Sequence, residues 1–479
     1  MVKLKAVSKP ALPLQTLVLD NGCYSIKAGL CKLSEPSPSA DPSSECRVIP
    51  NCVTRSRGRK VYIASEVESC ADYGEMVYRR PMDKGSIVHW ETQREIWDRE
   101  FFGKGHDKKG RRWNLEPKEM NLILTETPTP LQALSTATDQ IVFEDFGFAS
   151  YLRTTPGVLI AQNDIQTVFT PQGLTGNHSA PQQDAMEIDP APTSASIASF
   201  PKTEAFILVD SGFSSTQITA YLYGQPIRKS TRRLDIGGNF MTNYMKDIVS
   251  VRYYNMMDED YTINAIKEEV CYVTDDFKRD MEVSWKQSKK GKVDAADSVT
   301  IDYVLPDWNE GRRGFSRPHV LARLRAKQAA HSGGVVSKML EEEVMTLANE
   351  RFTVPELLFN PANVGLNQAG IPGAIMQVLD TIPQELWAAM LANVVLVGGS
   401  ALFPGFREKV ERDLRMRVPE DIEIRVGMPE RSSAITWACQ GGLRLARDDP
   451  SKLKEMVVTK QEYEENGAQW TARRFAGMV

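Results

Sequence analysis

Two stretches of the chain write the same strand and turn: "TLVLDNGCYSIKAG" at 16–29 and "FILVDSGFSST" at 206–216. Each is an apolar run ending in Asp, then one small polar residue, then Gly. Such a run reads as a buried strand. The Gly supplies a positive φ or a close backbone approach, as a tight hairpin requires. Successive N–H groups in such a turn point into one concavity suited to an anion such as phosphate. A single copy is common in purely structural hairpins. Two copies constrain the chain far more: they imply duplicated α/β halves facing each other, with the phosphates of a nucleotide between the hairpins. A third element, "NVVLVGGSALFPGFREKV" at 393–410, is a strand, a Gly-Gly turn and a helix. Gly398 and Gly399 would let a flat ring or a sugar approach the backbone. Taken alone, this element reads equally well as a plain strand–helix loop.

The bulk numbers fit a large α/β protein. At 479 residues and 42% apolar content the chain can bury a sizeable core. A net charge of −4 speaks against a wholly basic nucleic-acid binder. No apolar run reaches the roughly 18 residues that a membrane helix needs. Seven cysteines form no CxxC pair and five histidines form no HxxxH pair, which argues against a disulfide framework or a zinc site. Residues 1–15 carry Lys3, Lys5 and Lys9 without an apolar segment and read as a flexible tail, not a signal peptide.

The segments 34–45 and 164–203 are Ser/Pro-rich and aperiodic, and read as disordered insertions. The charged or Gly-rich segments 285–298 and 311–334 read as loops. "GKGHDKKGRRW" at 103–113 reads as a basic surface loop, with a nuclear-import or DNA-contacting patch as the alternative. Between these segments, helical periodicity predicts helices over 91–102, 242–254, 263–273, 336–352 and 406–418. Their alternation with strands implies an α/β fold around a central sheet.

Taken together, the two hairpins and "VGGSALFPG" resemble the actin family, within the fold shared with sugar kinases and the large heat-shock chaperones. "GSIVHWETQREIW" (85–97), "KEEVCYV" (267–273), "LANERFTVPELLFNP" (347–361) and "GIP" (370–372) fit the same pattern in the same order. The resemblance implies duplicated, ribonuclease-H-like halves around a nucleotide cleft. Residues 16–160 and 435–479 would form subdomains 1 and 2, with 46–79 as the small subdomain 2. Residues 204–236 and 355–434 would form subdomain 3, and 237–354 subdomain 4. "DSVTIDYVLPDW" (297–308), "DIGGNFMTNYM" (235–245) and "MVVTKQEYEENG" (456–467) depart from conventional actin. They are similar to the actin-related subunits of nuclear SWR-type remodelling complexes, which exchange a core histone for its Z-type variant.

Carried over residue by residue, the resemblance assigns Asp20 and Asp210 to a divalent cation held through water and Lys27 to the β-phosphate. Asn21, Gly22, Ser211 and Gly212 fall in the phosphate turns. Lys267 and Glu268 lie near base and ribose, and Gly398, Gly399 and Ser400 form the adenosine turn. The implied ligand is ATP or ADP with magnesium, kept as a structural staple, or none. The departures sit where hydrolysis would occur. Cys23 and Tyr24 replace Ser and Gly, Phe213 replaces an Asp, and Gln217 replaces the catalytic His. Pro156, or Thr155 if the register slips by one, stands where a water-positioning Gln would be. Losing these groups implies a vestigial ATPase with no catalytic residue, because water must be oriented for phosphoryl transfer.

The segment 52–70 is too short for the loop that joins actin protomers, so no homopolymer is expected. The resemblance implies a platform in the nucleus, with the cytoplasm as a second location. It would bind the SWR-type remodeller ATPase and a small zinc-finger subunit, with direct or indirect nucleosome contact and no membrane. The aromatic-rich tail from 435, with Trp437, Tyr463, Trp470 and Phe475, would either line a partner groove or pack in the core. An active actin-like ATPase or a cytoskeletal actin-related protein is the alternative function. A sugar or acetate kinase is weaker, since no catalytic Asp stands in a recognisable motif.

Overall fold

The computed structural model describes residues 12–32, 45–103, 112–169, 203–290, 299–319 and 342–478. The segments 34–44, 104–111 and 170–202, central to the insertion and basic-loop expectations, lie outside them, as do residues 1–11 of the tail.

The duplicated turn organises two six-stranded sheets. In the first, Gln15–Asn21 pairs antiparallel with Ser25–Lys32 and parallel with Met120–Thr125. In the second, Ala205–Ser211 pairs antiparallel with Thr216–Leu222 and parallel with Val394–Val397. The registers match: Asp20 faces Lys27 across its hairpin, and Asp210 faces Gln217 across the other. Both inner strands are apolar because both faces of each sheet are covered; Leu17, Val18, Leu19, Phe206, Ile207 and Val209 are all fully buried.

Each half has its own core. A separate apolar layer joins the two, built from Val158, Ile160, Phe206, Tyr221, Val395 and Trp437. The short helix Pro156–Ile160 stands in this layer, and the helix Trp437–Asp448 packs against it. A Cβ on Gly441 would lie 1.9 Å from the backbone oxygen of Leu159, and one on Gly442 would lie 2.5 Å from Val18. Two glycines therefore set how closely the C-terminal helix approaches the first half.

Several segments differ from their sequence patterns. The predicted helix 336–352 contains a strand, Val344–Leu347, which pairs with Ile301–Val304. Glu341–Glu343 extend a helical-looking pattern, but the alternation of Met345 and Leu347 into the core satisfies a sheet period instead. Part of 285–298 is helical rather than loop. The helix Phe277–Lys290 carries Phe277, Met281 and Trp285 at helical spacing, and Phe277 meets Phe352 edge-on at 5.7 Å. Within 311–334, Phe315–Pro318 is a strand. Residues Ile165–Phe169, at the start of the segment read as an insertion, form a short 3-10 turn with Ile165 buried.

Of the tail aromatics, Trp437, Tyr463 and Phe475 are core residues, while Trp470 is half-buried against the first half's core. Trp437 sits in the joining layer, while Tyr463 stacks on Phe143 at 4.5 Å and Phe475 meets Tyr151 at 5.3 Å. The strands Val53–Arg55 and Val61–Ile63 are joined by residues 56–60 alone. Among the described residues, no helix is long and apolar enough to cross a membrane.

Gly441→Ala should destabilise the protein by about 1–3 kcal/mol, because the new methyl meets backbone that cannot turn aside. Urea unfolding measures this. A midpoint unchanged from wild type would mean that the two helices have room to separate.

Candidate functional site

Between the halves lies a cavity of about 430 Å³, lined by both hairpins, by the Gly398–Ser400 turn, and by Lys267 and Glu268. Its size falls in the range of small-molecule sites. Of the twelve residues singled out in the sequence, all but Ser211 line it. Ser211 is fully buried, and its hydroxyl pairs at 3.0 Å with that of Thr216, tying the second hairpin across its strands.

The first turn is held from behind. The Asn21 side-chain amide donates to Gln93 Oε1 at 3.0 Å, and its oxygen accepts from Trp97 Nε1 at 3.4 Å. Asn51 Nδ2 donates to the Gly22 carbonyl at 2.9 Å, and Gln93 Nε2 to Asn51 Oδ1 at 3.1 Å. Asn21 thus turns its polar end into the protein and fixes the turn. Gln93 and Asn51 were not singled out in the sequence. Gln93 lies inside the motif 85–97, yet nothing in that motif shows that its side chain points at another strand's turn.

The second turn is held by the third element. Gly398 adopts φ +93°, and a Cβ there would lie 2.4 Å from the Ser211 carbonyl and 2.9 Å from an Asp210 oxygen. No other residue fits that approach. Gly399 faces open space, and the Ser400 hydroxyl donates to the Gly212 carbonyl at 3.4 Å.

The electrostatics centre on three groups. Lys27 Nζ lies 3.5 Å from Asp20 Oδ2, and the Thr125 hydroxyl donates to Asp20 Oδ1 at 2.8 Å. Asp210 is pushed up to about 6, first by burial and then by the negative charge of Asp20, with Lys27 opposing. Two carboxylates and one lysine leave a net −1 in a buried site. That donor set would suit a hydrated divalent cation, which Asp20 and Asp210 would hold.

Lys267 is committed elsewhere. Its ammonium donates to the Gly238 carbonyl at 3.0 Å, Thr242 Oγ1 at 2.8 Å and Asn264 Oδ1 at 2.9 Å. Burial lowers its pKa to about 8. All three of its protons have partners, so it shapes the cavity wall and holds the helix Asp260–Val270 in place. Glu268, one residue on, accepts from Asn264 Nδ2 at 2.8 Å.

The departures from the family pattern also have definite places. Cys23, Tyr24, Pro156, Phe213 and Gln217 all line the cavity. Pro156 begins its helix and has no N–H to offer. Gln217 Nε2 donates to Thr127 Oγ1 at 2.8 Å, while its buried Oε1 has no partner.

The family model described as Actin matches residues 11–476. The chain is 42% identical to actin-related protein 6 of Neurospora crassa, covering 99% of this chain and 97% of that protein. It is 41% identical to the actin-like protein arp6 of Aspergillus fumigatus, covering 98% and 96%. Actin-related protein 6 of Drosophila melanogaster is 32% identical, with 96% and 99% covered.

The raised Asp210 gives a pH signature in chelated, nucleotide-free protein. Its folded value of about 6 exceeds the ordinary aspartate value of 3.8, so between these values the native state binds more protons than the unfolded state. Stability should therefore fall as pH rises from about 4 to 6. Asp210→Asn should remove this fall, gaining as much as about 3 kcal/mol over wild type between pH 4 and 7. Parallel denaturation curves that do not diverge over that window would show the carboxyl to be unstrained.

Proposed function

The chain belongs to the actin family, and from that premise we propose that it is a non-catalytic interaction subunit of a nuclear SWR-type chromatin-remodelling complex. In this role it joins the remodeller ATPase and a small zinc-finger subunit into the machine that exchanges a core histone for its Z-type variant. The likeness to proteins named actin-related protein 6, along nearly the whole chain, supports this branch. ATP or ADP with magnesium in the cleft would act as a staple between the halves, stabilising the closed form by mass action.

The observation that carries the non-catalytic reading is the makeup of the cavity wall. Phosphoryl transfer to water needs a group that orients the water. At the start of the helix Pro156–Ile160 the wall offers a proline, and at the second turn it offers the apolar ring of Phe213. One feature favours the alternative of an active ATPase: Gln217 lines the cavity and its Oε1 has no hydrogen-bond partner.

Turnover on the purified chain separates these readings. A platform should hydrolyse ATP about 100-fold or more slowly than filament-forming actin, with no further loss in Gln217→Ala. A rate near that of actin, abolished by Gln217→Ala, would establish the ATPase instead. The chain should also remain in the supernatant under actin-polymerising salt. From nuclear extract, it should capture the remodeller ATPase with its zinc-finger subunit; failure to capture either would remove the platform assignment.

A further inference from the structure

The two phosphate turns do not merely face each other; their side chains meet. Tyr24, in the first turn, packs against Phe213, in the second, with ring centroids 5.0 Å apart. The guanidinium of Arg80 lies over both rings, 5.0 Å from Tyr24 and 4.9 Å from Phe213. The same guanidinium donates to the carbonyl oxygens of Cys23 at 3.5 Å and Tyr24 at 3.4 Å. On its far side, the Tyr24 hydroxyl accepts from Asn264 Nδ2 at 3.3 Å, so the first turn also reaches the second half's helix Asp260–Val270.

A second contact crosses the cleft at its rim. Tyr73, from the first half, stacks on Tyr261, from the second, at 4.1 Å. Trp308 packs against Tyr73 at 5.2 Å, and the Glu75 amide donates to Glu259 Oε1 at 3.2 Å.

We propose that Tyr24, Phe213 and Arg80 form a clasp that holds the two halves closed around the cleft without any ligand. The need for it follows from the site's charge. Asp210 feels the negative charge of Asp20 across the cleft, and this repulsion, eased by Lys27, opposes close approach of the two turns. A bound phosphate chain and cation would normally join the turns. Here ring–ring contact and a cation over two aromatic faces join them, and these contacts need neither nucleotide nor metal. Phe213 and Tyr24 therefore have a positive role: the ring that stands in place of a carboxylate and the ring that stands in place of a glycine together bridge the turns. The clasp makes the shape of the chain independent of nucleotide state, unlike a switch whose halves close only on ligand.

Hydrogen exchange read by mass spectrometry on the full chain tests this, after chelation and nucleotide removal verified by chromatography of denatured protein. In stripped wild type, amides in the turns 20–25 and 211–216 should exchange slowly. In the double variant Tyr24→Ala with Phe213→Ala they should exchange at least about tenfold faster, while those of 17–19 and 207–209 keep their protection. Arg80→Ala, which removes the cation over both rings together with its two bonds to the first turn, should speed exchange a few-fold in 211–216 as well, a turn that the guanidinium meets through the Phe213 ring. The proposal fails if stripped wild type exchanges at the turns as fast as the double variant. It fails equally if Arg80→Ala leaves the turns at the wild-type rate, whatever the folding of the double variant. Neither readout uses turnover or partner capture, so the result stands apart from the functional assignment.

Discussion

The cleft depends on the close packing of one short helix, Pro156–Ile160, in the layer between the halves. Gly157 places a would-be Cβ 2.1 Å from the hydroxyl of Tyr221, on the second hairpin, and Gly441 approaches Leu159 from the other side. Val158 and Ile160 complete the layer with Phe206, Val395 and Trp437. Since interiors pack at crystal-like density, a shift of this helix would move both turns relative to each other. The spacing of Asp20 and Asp210, and hence the charge of the site, is set there.

On that frame each turn is immobilised by different means. Buried amides from Gln93 and Asn51 hold the first turn, and the backbone approach of Gly398 holds the second. Polar groups buried so deeply persist only when paired, and a paired network specifies a single geometry. The result is a preformed cavity, with each turn held by groups of the protein itself.

Much of this was legible beforehand. The doubled strand–Asp–x–Gly pattern carries both hairpins, because a strand's period and a turn's glycine are local properties. Gly398 was readable for the same reason. Other features were not. Val344–Leu347 pairs as a strand although its surroundings read as helix, because the partner that decides it is Ile301–Val304, far away in the chain. The pattern places Asn21 and Lys267 at the cleft, and both line it, but only the folded chain shows that their polar ends are bound by Gln93, Trp97, Gly238, Thr242 and Asn264. Side-chain direction depends on neighbours that no spacing rule supplies.

The sequence by itself determined the two hairpins, where their tight turns fall, and which residues depart from the family pattern at the cleft, since each is written in residue types and their local order. Only the tertiary structure decided that the replacements meet. Tyr24 and Phe213 are about 190 residues apart along the chain, and Arg80 is distant from both. Their contact exists because two separately folded halves pack on a common apolar layer, bringing opposed turns within the few ångströms over which rings and a cation attract.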